Sequence, residues 1–270
     1  MLSCGMSINS VNEIKSLKRG LSVLRLLEDE GAKSLDDLNK QLGISKTALS
    51  RILVTLQSER LASQRIADRK WVAGPGIGPA SQVNAKHNLL VQAATPHLAK
   101  LCEKVIWPSD LSVRSGLKMV LVETSRPHTT LLFNKLSIGF EIDFLLSAPG
   151  RAYLAFCPER ERDQILTALK TRPEYGFLFA GNELENTLEQ VRKQGFGHRD
   201  MRWGGRASDL RNTHDDGLDA IAIPIPGRKA LLGCVNIIWI RSILSRKDAI
   251  DRYLGDLRAT ADSISSAIET

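Results

Sequence analysis

Residues 16–61, SLKRGLSVLRLLEDEGAKSLDDLNKQLGISKTALSRILVTLQSERL, hold three apolar periodicities parted by single glycines. In the first, Leu17, Leu21, Val23, Leu24 and Leu27 recur at helical spacing between Ser16 and Glu30, and Gly31 ends the run. Ser34 opens the second. Its hydroxyl can accept from the free amides of a first helical turn, and Asp36 and Asp37 suit the positive end of the helix dipole. Leu35, Leu38 and Leu42 give this helix one apolar face, and Gly43 stops it. After the turn Gly43-Ile44, Ser45 caps a third helix that carries Ala48, Leu49, Ile52, Leu53 and Leu56 inward and runs to Glu59.

From Arg60 to Ala73 the pattern changes to loose alternation. Gln64-Arg65-Ile66 and Lys70-Trp71-Val72 flank the turn Asp68-Arg69, which predicts a two-stranded hairpin. Three helices and a hairpin make a winged helix-turn-helix. The second helix of the helix-turn-helix pair must enter a major groove, so it needs a tight turn before it and short polar residues at its start. Gly43 supplies the turn, and Ser45, Lys46, Thr47, Ser50 and Arg51 lie opposite the apolar side of the helix. Between Lys40 and Ala73, Lys40, Lys46, Arg51, Arg60, Arg65, Arg69 and Lys70 face only Glu59 and Asp68 in acidic charge. The candidate DNA contacts are therefore Ser45, Lys46, Thr47, Ser50 and Arg51 on the helix, with Arg65, Arg69 and Lys70 on the wing. Hydroxyls and Lys suit phosphates, whereas Arg51 can make a bidentate contact to guanine.

The whole-chain numbers agree. A net charge of +7 and a pI near 9.3 favour an anionic partner, because bound Lys and Arg displace counterions from a polyphosphate. With 270 residues, 43% of them hydrophobic and 25% charged, the chain has room for two ordinary globular domains. Cys4, Cys102, Cys157 and Cys234 show no CxxC spacing and read as reduced, mostly buried thiols. The N-terminus lacks the pattern of a signal peptide, and Pro224, Pro226, Gly227, Arg228 and Lys229 break the apolar stretch Ala220 to Ile240, so no membrane span is expected. The expected address is the cytoplasm.

Gly74-Pro75-Gly76-Ile77-Gly78-Pro79 breaks all periodicity and marks a boundary. The expected organisation is a flexible tail over 1–13, a DNA-binding domain over 14–75, a linker with the start of a connecting helix over 76–90, and a second domain over 91–270. The connecting helix runs from Ala80 into Leu101. Strands are expected from Leu111 to Glu123 and from Thr130 to Lys135. Helices follow over Pro149–Cys157, Glu159–Thr171 and Glu183–Gly195, then a hairpin of Ala220–Pro224 with Leu231–Ile240, and a last helix from Arg246 to Ile268. This mixture around a mainly antiparallel sheet predicts an α+β sensor domain.

The stretch quoted first resembles the DNA-binding domain of the IclR family of bacterial regulators. The resemblance resumes at LLSAPGRAYLAFCPE (145–159) and AIAIPIPGRKALLGCVNI (220–237), and within the family VIWPSDLSV (105–113) with LAFCPERER (154–162) is most similar to a subgroup of activators of hydroxyphenylpropionate catabolism. It implies a winged helix-turn-helix, a linker helix and a C-terminal GAF-like effector-binding domain, assembled as a homodimer or homotetramer on palindromic double-stranded DNA operators. It also implies a small-molecule effector, often an aromatic carboxylic acid, and RNA polymerase as a further partner of an activator. No cofactor and no metal are implied. The family's effector pocket maps to Ser147, Ala148, Pro149 and Gly150; to His198 through Trp203, following Gly195-Phe196; and to Ala220, Cys234, Asn236 and Ile238. Leu145 stands where the family usually has His, and Asn236 and Ile238 where Ser is common, departures that favour a larger, more apolar ligand.

An aromatic acid needs a cation for its carboxylate, flat apolar walls and a polar group for any ring hydroxyl. Trp107 and Trp203 are candidate walls, Arg202 or Arg114 the cation, and Ser109 and Asp200 further candidate contacts. Two other classes stay open: a small-molecule enzyme with an accessory helical domain, and a winged-helix adaptor that binds protein instead of DNA. The enzyme would need a clustered acid, base or nucleophile. Gly74, Gly76 and Gly78 depart from GxGxxG, with Pro79 in place of the last glycine; His198-Arg199-Asp200 has no Gly-rich loop beside it; and His214-Asp215-Asp216 lacks metal-ligand spacing.

Overall fold

The computed structural model describes residues 13–59, 61–73, 82–125, 138–205 and 209–269, with the side chains of 82–88 and 269 excepted. The chain divides into two compact units. The first holds the three N-terminal helices and both strands of the hairpin, and the second holds 65–68 and the chain from Leu89 onward.

In the first unit α1 (Lys15–Glu30), α2 (Leu35–Leu42) and α3 (Lys46–Ser58) are followed by β1 (Ala62–Gln64) and β2 (Trp71–Ala73). Gly43 closes α2 at φ 63°, a left-handed conformation that a side chain disfavours. Ser34 caps α2 as its position predicts: its hydroxyl accepts from Asp37 N, and the Asp37 carboxylate accepts from Ser34 N. Val23, Leu24, Leu27, Leu38, Leu49, Leu53 and Leu56 form one core with Ala62 and Trp71 of the hairpin. The hairpin's strands are as long as expected but stand farther from the turn, β1 starting two residues earlier and β2 one residue later: Gln64 pairs with Trp71, so 65–70 form the connection, and Arg69 turns the chain at φ 59°.

The second unit is built on a six-stranded antiparallel sheet. Its strands are β3 (Ser109–Ser115), β4 (Lys118–Thr124), β5 (Glu141–Ile142), β6 (Gly197–His198), β7 (Leu218–Ile225) and β8 (Gly233–Ile240), in the order β5-β4-β3-β8-β7-β6. Both faces are covered, which explains the near-continuous apolar runs of β7 and β8. On one face α4 (Gln82–Val105) and α9 (Arg246–Glu269) pack on Leu111, Val113, Ile221, Ile223, Val235 and Ile237. On the other, α5 (Ala148–Phe156), α6 (Glu159–Lys170), the four-residue α7 (Gly176–Phe179) and α8 (Glu183–Gln194) cover Met119, Leu121, Ala220, Ala222 and Cys234. The connecting helix extends past the expected Leu101 to Val105, with Pro96 inside it. The expected strand from Thr130 to Lys135, the tail and the Gly74–Pro79 stretch lie outside the described residues. Among the described residues no helix is long and apolar enough to cross a membrane.

Candidate nucleic-acid interface and effector site

The third helix presents the polar face that its sequence predicts. Ser45, Lys46, Thr47, Ser50 and Arg51 are exposed, while Leu49, Leu53 and Leu56 are buried behind them. The Ser45 hydroxyl accepts from Ala48 N at 3.4 Å, and the Ser50 hydroxyl donates to Lys46 O at 2.9 Å. Lys46 meets Asp36 at 2.5 Å, an ion pair with both side chains more than half exposed, so its energy is small and DNA phosphate can compete for the cation. In the hairpin connection Arg69 is exposed and Lys70 half-buried. Arg65 is bound by Asp68, with Nε donating at 3.1 Å, and its side chain is only 14% exposed, so a carboxylate already holds it in a sheltered place.

In the second unit the loop before α5 is fixed by a buried acid. Asp143 accepts from Leu145 N at 2.8 Å and Leu146 N at 2.7 Å, and from the Tyr175 hydroxyl at 2.5 Å. Burial raises its carboxyl above the usual range against the pull of those three donors. Ser147 then caps α5, its hydroxyl accepting from Gly150 N at 3.0 Å. Gly150 is demanded by contact: a Cβ there would lie 2.2 Å from the Phe144 carbonyl oxygen. Gly197 of β6 is held equally close to the other side of α5, its added Cβ 2.4 Å from Ala148 O. The loop at Phe144 is thus pressed against the first turn of α5, and the backbone of β6 packs directly on the same helix.

A charge network closes the same region. The Arg151 guanidinium donates from Nε to Leu145 O at 2.7 Å and from Nη2 to Asp200, both side chains being 6% exposed or less. Asp200 also accepts from Arg202 N at 2.8 Å and Nε at 3.0 Å, and Arg202 reaches on to Glu183. Burial would raise the Asp200 carboxyl, but the Arg202 hydrogen bonds and the Arg151 charge outweigh it and hold it well below the usual carboxylate range. Beyond it the long polar segment after Met201 folds on Arg199, which donates to Asp216 at 2.8 and 3.0 Å and to Trp203 O at 3.0 Å, and stacks 4.5 Å from the Trp203 ring centre.

This geometry sorts the predicted effector residues. Ser147, Ala148, Pro149, Trp203, Ala220, Cys234 and Ile238 share the α5 side of the sheet, and the Cys234 thiol donates to Pro149 O at 3.3 Å. Asn236 joins them because it pairs with Ala222, and Asp200 through Arg151. Trp107 and Ser109 are placed elsewhere. Trp107 packs on the α4/α9 core, and Ser109 pairs with Ile237 on that face, its hydroxyl 2.5 Å from that of Ser125. For Ser109, strand alternation, which sends neighbours to opposite faces, is the reason. Arg114 is held at the other end of α5 by Glu161, at 2.9 Å, beside the Tyr153 hydroxyl. Both cations considered for a ligand carboxylate, Arg114 and Arg202, are already engaged by protein carboxylates. Sequence reading missed Asp110, Ser112 and Thr124 on the α5 face of the central strands, and Asp143 with Tyr175 beneath the loop; the alternation Asp110-Leu111-Ser112-Val113 was the available signal for the first two. Cys157 and Cys234 are free, buried thiols, and burial pushes Cys157 up to about 11.

Comparison with known proteins gives the lineage. The IclR helix-turn-helix domain matches residues 16–65, and the C-terminal domain of bacterial IclR transcriptional regulators matches 82–266. The acetate operon repressor of Salmonella typhimurium is 24% identical over 225 residues, 79% of this chain and 81% of the repressor. The regulator TsaQ1/TsaQ2 of Comamonas testosteroni is 24% identical over 185 residues, 68% of this chain and 66% of its own length, and BhcR of Paracoccus denitrificans is matched over 46% of its length. Among solved structures, an IclR family regulator from Brucella abortus has a TM-score of 0.55 at 21% identity, covering 98% of this chain and 97% of its own. An IclR homolog from Microbacterium hydrocarbonoxydans, complexed with 4-hydroxybenzoate, has a TM-score of 0.53 at 17% identity, covering 94% and 99%. With its helix-turn-helix and its two-faced sheet domain both accounted for, the chain belongs to the IclR family of bacterial transcriptional regulators.

Proposed function

We propose that this protein is a ligand-responsive regulator that binds double-stranded DNA through the exposed face of α3 and changes its affinity when a small aromatic carboxylic acid enters the α5 side of its sheet. The observation that carries the first half is the exposure of Ser45, Lys46, Thr47, Ser50 and Arg51 together on a helix whose opposite face is buried. Arg69 and Lys70 extend the basic surface, and Arg65 contributes once Asp68 releases it. A homodimer or homotetramer would set two such helices on a palindromic operator, one helical turn of DNA apart. The domain limits in this reading are 14–75 for DNA and 91–270 for the effector, and the working place is the cytoplasm.

The effector reading rests on the buried polar groups that gather around Ser147, Asp200 and Asn236. The same fold in the Microbacterium protein holds 4-hydroxybenzoate, so this architecture can house an aromatic acid. Control of aromatic-acid catabolism, kinship with the hydroxyphenylpropionate activators, and contact with RNA polymerase when transcription is raised belong to this proposal. A salt titration tests the DNA half. Binding of the full chain to duplex DNA is expected to weaken steeply as salt rises, because phosphate contacts release counterions. A flat salt dependence would favour a winged helix that binds protein.

A further inference from the structure

The central strands of the sheet carry very different side chains on their two faces. Toward α4 and α9 stand branched residues such as Ile221, Val235 and Ile237. Toward α5 the same strands carry Asp110, Ser112, Ala220, Ala222, Cys234 and Asn236, with Asp110 paired to Asn236 and Ser112 to Cys234. These small side chains let α5 pack closely over Ala220, Ala222 and Cys234. Within this patch Ser112 Oγ and Asn236 Oδ1 are buried and have no hydrogen-bond partner among the described residues. Native proteins leave few such atoms, so two on adjacent strands of one patch point to a missing third party.

The chemistry of the patch says which part of a ligand fits. Asn236 Oδ1 only accepts, the Asp110 carboxylate accepts from the Thr124 hydroxyl, and the Ser112 hydroxyl can donate or accept. A ligand carboxylate brought here could accept from Ser112 but would face the Asn236 Oδ1 acceptor and the Asp110 carboxylate. A neutral hydroxyl would both donate and accept.

Resting on the effector reading above, we infer that the Ser112–Asn236 patch receives the phenolic hydroxyl of a hydroxylated aromatic acid, and that the ligand's carboxylate lies away from the sheet. The hydroxyl donates to Asn236 Oδ1 and accepts from Ser112. The patch thereby selects hydroxylated acids over their deoxy analogues, because the latter leave both orphan atoms unmet.

Calorimetric titration of the full chain with two pairs, 4-hydroxybenzoate against benzoate and 3-(4-hydroxyphenyl)propionate against 3-phenylpropionate, tests this. In at least one pair the hydroxylated acid is expected to bind at least about fivefold more tightly. Ser112→Ala is expected to narrow that gap while leaving the deoxy acid unchanged, and to melt no lower than the parent without ligand, since it removes only a partnerless hydroxyl. Equal binding within both pairs, or equal weakening of both members by Ser112→Ala, would overturn the inference and leave the aromatic-acid reading standing. A lower melting temperature for ligand-free Ser112→Ala would also overturn it, by showing that the hydroxyl is satisfied at rest. If none of the four acids binds, the aromatic-acid reading falls and takes this inference with it.

Discussion

The outer face of α3 and the α5 face of the sheet are both polar, but they hold their polar groups in opposite ways. On α3, Lys46, Thr47 and Arg51 stand in solvent, and the ion pair of Lys46 with Asp36 is exposed on both sides. Around α5, Asp143, Arg151, Asp200 and Asn236 are buried, and the first three are bound to backbone or to each other. The first surface keeps its donors hydrated, so a polyanion can take them at little cost beyond releasing counterions. The second has paid its desolvation in advance and is rigid, which suits discrimination among small molecules. Changes at the first should therefore alter binding and spare stability, whereas changes at the second should alter stability first.

The largest effect is expected at Asp200. Asp200→Ala leaves the Arg151 guanidinium buried without its carboxylate, and loss of such a partner costs about 3–5 kcal/mol, read by thermal or denaturant unfolding. The pH dependence has a definite sign. Because the folded carboxyl lies below its unfolded value, its stabilisation is complete above about pH 4 and fades as pH falls through the folded value. The stability gap between the parent and Asp200→Asn should accordingly shrink on acidification below about pH 4. A gap that stays constant would show that the Arg151–Asp200 pair adds nothing specific to the second region.

Next comes Gly150→Ala. The new methyl meets the carbonyl oxygen of Phe144, which as backbone cannot swing aside, and overpacking of this kind costs about 1–3 kcal/mol. An unchanged melting temperature would mean that the loop before α5 is not pressed against the helix. The smallest effect belongs to the first region: Lys46→Ala should change stability by less than about 0.5 kcal/mol, since exposed ion pairs contribute little. A loss larger than that would erase the contrast between the two faces.

The same contrast governs what could be read from sequence. The three helices of the first unit were legible because each has a cap, an apolar period and a glycine stop, and Ser34, Ser45 and Gly43 do in the structure what their types suggest. The two-residue strands Glu141–Ile142 and Gly197–His198 are too short to carry any period. The central strands hid their functional face for another reason. With both faces of the sheet covered, hydrophobicity no longer tells inside from outside, so Ser109 and Ser112 look alike in sequence although they point to opposite cores. Arg202 and Arg114 were recognisable as cations, but their carboxylate partners Asp200, Glu183 and Glu161 are brought to them by the fold, Glu183 and Glu161 from 19 and 47 residues away.

The central claim is that α3 meets DNA through its solvent face. Its most direct test is the affinity and base preference of Arg51→Ala beside the parent, at one fixed salt concentration, on duplexes selected from a random pool. A loss of about 1–3 kcal/mol in affinity with relaxed preference at one base position, and an unchanged melting temperature, is the predicted result. Parent-like affinity and preference from a correctly folded Arg51→Ala protein would contradict it.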